Sequence, residues 1–309
     1  MMTNLDLSSV AADYLRTRRS LGYRLAQQGQ LLADFVGYLQ ASGADHLTIK
    51  HALAWAKRPL DANPVWWSAR LGVVRGFARY LSALDPVTEV PPTGLLPDRN
   101  HRAVPYIYTD AEVVSLIDAA GRLRPSLRAA TYQTLIGLLA VTGMRVGEAI
   151  GLDRRDLDPE QHLVTIRLGK FGKSRQLPLH ASTVGALRGY ARLREAQGPR
   201  APSFFVSTAG TRLIGDNADV VFARLVRSTG LDWSGRRRPP RLHDLRHSFA
   251  VRTVLGWYRD GADVEQRLPL LSTYLGHRGP QSTYWYLSAV PELLTLAADR
   301  LEDHREGRP

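Results

Sequence analysis

Between Asp85 and Pro105 the chain cannot hold a regular element, because Pro86, Pro91, Pro92, Gly94, Pro97 and Pro105 interrupt it too often for a helix or a central strand. Helical periodicity stops on one side of this stretch and restarts on the other. At 309 residues the chain also exceeds the usual size of one domain. The break therefore divides it into two bodies of unequal size, 1–85 and 106–309, joined by a linker over 86–105. The end of that linker, Asp98-Arg99-Asn100-His101-Arg102, suits a segment that tracks along a partner between two domains.

The first body reads as helices. Leu7, Val10 and Tyr14, then Leu31, Leu32, Phe35, Val36 and Leu39, recur at three- and four-residue spacing. Gly43 fits a stop after the second helix, a third spans about 48–57, and a fourth about 65–84. Basic residues interleave with these apolar faces. Any one of them can be a solvated side chain, yet together Arg16, Arg19, Arg24, Arg75 and Arg79 give the domain basic faces. The whole chain carries 41 Lys and Arg against 29 Asp and Glu, a net charge of +12. Such an excess favours a polyanion, either nucleic acid or a membrane surface. No uninterrupted apolar run is long enough to span a bilayer, and Met1 to Asp6 lacks the order of a signal peptide, so a soluble, cytoplasmic protein is expected. The absence of cysteine excludes disulfides, thiolate metal sites and cysteine nucleophiles. A nucleophile must then be Ser, Thr, Tyr, Lys or a carboxylate.

The second body opens on a capping pattern, Thr109 followed by Glu112, and a helix. After Pro125 a long apolar segment through Leu135, Ile136, Leu138, Leu139 and Val141 leads to Thr142-Gly143-Met144-Arg145-Val146-Gly147-Glu148. A guanidinium beside a glycine break after a buried helix needs a partner or a ligand. Glu148, one turn on, is the local partner, and the pair can equally be an ion pair that closes a helix. Leu163 to Leu168 alternates as a strand, and Arg175 to Leu179 can pair with it across a loop carrying Lys170 and Lys173. Helices follow over about 182–195 and 218–228. The densest basic run, Arg236-Arg237-Arg238, leads into Arg241-Leu242-His243-Asp244-Leu245-Arg246-His247.

His243 and Arg246 share one helix face, where imidazole and guanidinium can grip one phosphate. His243 and His247 also mimic a zinc-hydrolase spacing. Asp244 stands where that motif needs Glu, and Arg246 would set a positive charge beside the cation, so no metal is expected.

Four segments together resemble the tyrosine recombinase (phage integrase) family: Thr142 to Leu152; Gly169-Lys170-Phe171-Gly172-Lys173-Ser174-Arg175-Gln176-Leu177-Pro178-Leu179; His243-Asp244-Leu245-Arg246-His247-Ser248-Phe249-Ala250; and Leu275-Gly276-His277, followed nine residues later by Tyr286. The resemblance implies a mainly α catalytic domain with a small antiparallel β-sheet (an α+β domain) and a C-terminal helix, preceded by an all-α core-binding domain. It implies cleavage and rejoining of double-stranded DNA at specific sites through a 3′-phosphotyrosyl intermediate, with no cofactor. Arg145 and Arg246 match the two arginines that hold the scissile phosphate, and Tyr286 matches the nucleophile. His243 matches the proton acceptor, Lys170 the general acid, and His277 the remaining phosphate-binding position, while Glu148 would orient Arg145. Tyr284 is a second phenol two residues from Tyr286, disfavoured by spacing alone, and Pro280 should break the helix before the nucleophile. Lys173, Arg175, Arg236, Arg237 and Arg238 join the basic residues of the first body as expected DNA contacts.

By the same resemblance the apolar stripe Leu293, Leu294, Leu296, Ala297 and Leu301 would dock on a neighbouring protomer in a tetramer on DNA, with partner recombinases or accessory factors a further option. Such an enzyme would be associated with the nucleoid. A mobile-element or transposon role is preferred, because the linker and C-terminal sequence look unlike the compact resolvases. The competing readings are a type IB topoisomerase and a DNA-binding factor that does not cleave.

Overall fold

The computed structural model describes residues 6–23, 25–97, 104–167, 174–198, 201–236 and 238–277. The chain divides into two compact units, Met1–Arg102 and Ala103–Pro309.

In the first unit the apolar periodicity folds into four helices: α1 (Leu7–Ser20), α2 (Ala26–Ala41), α3 (Ile49–Ala56) and α4 (Pro64–Leu81). The starts of α1, α3 and α4 are fixed by side chains that accept a backbone N–H of the first turn, from Asp6, Thr48 and Asn63. Gly43 stands in the left-handed region just past α2, as a helix stop requires. Leu32, Phe35, Leu39, Trp55, Leu71, Val74, Phe77 and Leu81 form the core. Arg70 belongs to that interior: its guanidinium lies 3.7 Å from the centre of the Trp55 ring and donates to the Trp55 carbonyl at 3.1 Å. Desolvation by burial lowers its pKa, and Asp34, 3.6 Å away, offsets part of that cost.

Much of the stretch read as a linker packs on this unit. Leu96 is buried in the same core, the Glu89 N–H donates to the Leu47 carbonyl, and the Glu89 carboxylate accepts from the Ile49 N–H at the start of α3. Arg75 donates to the carbonyls of Pro91 and Pro92, at 2.8 and 2.9 Å. Prolines end regular structure, but their carbonyls remain acceptors. Arg75 is thus a strut inside the unit, whereas Arg19 and Arg79 are exposed and Arg16 is exposed beside Asp13.

The second unit surrounds α6 (Ser126–Thr142), which packs against α5 (Asp110–Gly121), α8 (Ala181–Ala196) and α10 (Leu242–Arg259). Buried residues on several sides of α6, among them Leu135, Ile136, Leu138 and Leu139, explain its continuous apolar sequence. The Thr109 and Glu112 capping box starts α5 as expected. After α6 come α7 (Val146–Gly151) and an antiparallel sheet of β1 (Leu157–Asp158), β2 (Leu163–Ile166) and β3 (Arg175–Pro178), in the order β1-β2-β3. Val164 faces Leu177 and Ile166 faces Arg175 across the β2–β3 pair. Helices α9 (Gly215–Ser228) and α11 (Val264–Leu275), with a short 3-10 helix at Arg154–Asp156, complete the described elements. The unit is mainly α with a small antiparallel sheet.

Gly143 ends α6 at φ 60°, and a Cβ there would stand 2.4 Å from the Phe249 ring and 3.1 Å from Leu275. Gly143→Ala combines left-handed strain with overpacking and should cost about 2–4 kcal/mol. Scanning calorimetry of the full chain would read this as a lower midpoint for one transition, and an unchanged midpoint would contradict the packing described.

Candidate active site

The C-terminal end of α11 gathers the charged groups. Helix-terminal carbonyls lack intrahelical partners and lie at the negative end of the helix dipole, so they attract cationic donors. Three consecutive carbonyls here each accept from a different guanidinium: Tyr274 O from Arg175 Nε at 2.9 Å, Leu275 O from Arg246 Nη2 at 2.8 Å, and Gly276 O from Arg145 Nη2 at 2.7 Å. Gly276 caps the helix in the left-handed conformation, at φ 68° and ψ 45°.

Each guanidinium arrives from a different element. Arg145 is the residue before α7, at the turn that Gly143 makes possible. Arg246 stands in the second turn of α10, almost wholly buried, and donates through Nη1 to the Gly143 carbonyl at 2.8 Å. Arg175 begins β3, on the same face of the strand as buried Leu177. The two arginines separated by a hundred residues of sequence are therefore held by neighbouring carbonyls.

Glu148 joins this cluster from α7. Its Oε1 accepts from Arg145 Nη1 at 2.7 Å and Arg175 Nη1 at 3.1 Å, and its Oε2 accepts from Arg175 Nη2 at 2.8 Å and the Arg145 backbone N–H at 2.9 Å. Burial alone would raise the carboxyl pKa. The hydrogen bonds from Arg175 and Arg145 outweigh it and hold Glu148 below the usual carboxylate range.

His243 is exposed one turn before Arg246 in α10, and its ring meets the buried His247 ring edge-on, with centroids 4.9 Å apart. His277 follows the Gly276 cap and is half-buried, its backbone N–H bonded to the Ser272 carbonyl. Asp244 caps α10 by accepting the Arg241 N–H at 2.9 Å. Burial raises its carboxyl pKa against the opposing pull of that bond and of Arg238 and Arg241.

Arg145, Glu148, Arg246 and His277 thus come together around one helix end. Arg175, expected as a DNA contact, faces inward among them with all three nitrogens engaged. Sequence reasoning missed this placement, although the alternation that marks β3 puts Arg175 on the face of Leu177. Arg236 lies over the Tyr106 ring and donates to the Pro105 carbonyl, and Arg238 stands 3.7 Å from Asp244, so both brace their own unit. Arg24, Lys170, Lys173, Arg237, Tyr284 and Tyr286 lie outside the described residues.

Residues 107–292 match the phage integrase family, over an interval that contains every part of this cluster. The chain belongs to that family. It is 44% identical over 304 residues to a Sinorhizobium fredii protein named as an integrase/recombinase (y4rB), a match covering 96% of this chain and 97% of the relative. It is 31% identical over 216 residues to the tyrosine recombinase XerC of Pseudomonas entomophila, covering 70% and 67%. Among solved structures the fold is similar to the XerA recombinase, with a TM-score of 0.52, 22% identity and 97% of each chain covered. It is also similar to the Tn1549 transposon integrase in complex with transposon right-end DNA, with a TM-score of 0.64, 17% identity and coverage of 96% and 98%. The enzyme is accordingly a tyrosine-type site-specific recombinase. No helix among its described residues is long and apolar enough to cross a membrane.

Removing the charge of Glu148 leaves two guanidiniums facing each other, so Glu148→Gln should lower stability at pH 7 by about 2–4 kcal/mol. The folded carboxyl titrates below its unfolded value of about 4.3, so the stabilisation is fully present above that pH. It is lost as pH falls through the lower, folded value. Denaturant titrations of wild type and variant should therefore converge in acid, and a gap that persists or widens there would contradict the assignment.

Proposed function

We propose that this recombinase cuts and rejoins double-stranded DNA through a 3′-phosphotyrosyl intermediate on Tyr286, in the integration, excision or transposition of a mobile element. The observation that carries this reading is the pair Arg145 and Arg246, fixed on the adjacent carbonyls of Gly276 and Leu275. Two planar forks held that way suit the two nonbridging oxygens of one phosphodiester and the charge added to them in the transition state.

In the proposed step the Tyr286 oxygen attacks phosphorus, the bond to the 5′-oxygen breaks, and the phosphate stays on the 3′ end as a tyrosyl ester. His243 accepts the phenolic proton, and Lys170 donates a proton to the leaving 5′-oxygen. A phenol with pKa about 10 needs such help near neutral pH. His277 would hydrogen-bond the phosphate from the cap of α11. The ester conserves the energy of the broken bond, so attack by a 5′-hydroxyl reverses the step and joins the new strands. Exposed Arg16, Arg19 and Arg79, with Arg24, Lys173 and Arg237, would contact the duplex backbone. The name of the similar Sinorhizobium fredii protein, integrase/recombinase, supports a role in integration. A nucleoid location follows from the DNA substrate.

The test uses nicked suicide duplexes taken from the boundaries of the element that carries the gene. A denaturant-stable protein–DNA adduct should form, be lost in Tyr286→Phe and survive in Tyr284→Phe, whereas the reverse pattern would overturn the assignment. The enzyme should also assemble as a tetramer on paired sites through its C-terminal apolar stripe, so truncation after Pro291 should abolish DNA-dependent assembly. Unchanged assembly in gel filtration or mass photometry would sink that part.

A further inference from the structure

We propose that Arg175 is a positioning residue of the strand-cleavage reaction, setting the plane of the Arg145 guanidinium through the shared Glu148 carboxylate and Gly276. The inference rests on the phosphate-binding role proposed for Arg145 above. It departs from the surface DNA contact that the basic character of Arg175 suggested.

The geometry separates these two roles. A phosphate contact on the protein surface needs N–H donors aimed outward. Arg175 instead spends Nε on the Tyr274 carbonyl, Nη2 on Glu148 Oε2 and Nη1 on Glu148 Oε1, so all three of its nitrogens are engaged within the unit. Arg145 binds the same carboxylate through one side-chain nitrogen and its backbone N–H. Its second side-chain bond, from Nη2 to the Gly276 carbonyl, completes the hold, so the plane of this guanidinium is only as fixed as those two acceptors. The bidentate grip of Arg175 locks the carboxylate, and the locked carboxylate gives Arg145 one orientation.

Gly276 is an independent sign of the same assembly. A Cβ there would stand 2.9 Å from Arg175 Nη1, 3.1 Å from its Cζ and 3.5 Å from Arg145 Nη1. Both guanidiniums pack beside a position where no side chain fits, and one of them donates to that residue's carbonyl. Arg175 also begins β3, so it ties the sheet to the end of α11 and to α7. Lysine could supply the charge but not the fork that spans two carboxylate oxygens and a carbonyl.

The experiment compares wild type, Arg175→Lys, Arg145→Lys and the double variant in single-turnover cleavage of the suicide duplex, with DNA affinity measured over a range of salt. Arg175→Lys should cleave about 10–100-fold more slowly. Its affinity should stay within about threefold of wild type, and its salt slope should be unchanged, because no phosphate contact is lost. In the Arg145→Lys background the further loss should shrink below about twofold, since the group being positioned is already gone. Cleavage at the wild-type rate, affinity that falls together with a salt slope shallower by about one phosphate, or losses that multiply in the double variant would each overturn the proposal.

A wild-type protein that forms no adduct would sink the cleavage reading instead. The shared carboxylate is then still tested in the DNA-free protein, by thermal unfolding of Arg175→Lys, Glu148→Gln and their double variant. Midpoint losses that are less than additive support the coupling, and strictly additive losses overturn it.

Discussion

Three guanidiniums on three consecutive carbonyls at one helix end are the constraint on which the rest of the catalytic unit depends. Tyr274, Leu275 and Gly276 offer acceptors that α11 cannot satisfy internally, and Arg175, Arg246 and Arg145 satisfy them from β3, α10 and the turn before α7. Each of those elements must therefore end or begin within reach of that point. The turn at Gly143 delivers Arg145, and its carbonyl takes the other end of Arg246. Burial of α6 on several sides fixes where the turn lies.

The same arrangement explains the electrostatics. Arg145 and Arg175 share one negative charge, Glu148, and Arg246 brings a third guanidinium onto the neighbouring carbonyl. The surplus suits a phosphodiester, which brings one negative charge and gains more as a fifth oxygen approaches. Keeping like charges together in a partly buried place is costly in the free enzyme. The helix dipole and the shared carboxylate offset that cost.

The sequence was legible where a local rule decides structure. Helical spacing located α1 to α4, the capping pattern located α5, strand alternation gave the β2–β3 pair, and ordered motifs brought Arg145, Arg246, Glu148 and His277 to one family and one site. Arginine was read less well, because one residue type serves both as a surface cation and as an internal fork. Arg70, Arg75, Arg175, Arg236 and Arg238 look alike in sequence, yet each has an aromatic ring, a carbonyl or a carboxylate of its own unit as partner. Those partners are mostly carbonyls far away in the chain, on which sequence carries no mark. The stretch 86–97 holds no helix or strand, as its prolines require, yet it packs on the first unit. Proline removes a donor but not the carbonyl that Arg75 uses.

The most direct test of the account is a crystal structure of Tyr286→Phe bound to an uncleaved duplex. It should show Arg145 and Arg246 donating to the nonbridging oxygens of one phosphate, with Arg175 still paired to Glu148. Arg175 released from Glu148 onto the phosphate, or the two other guanidiniums on different phosphates, would contradict it.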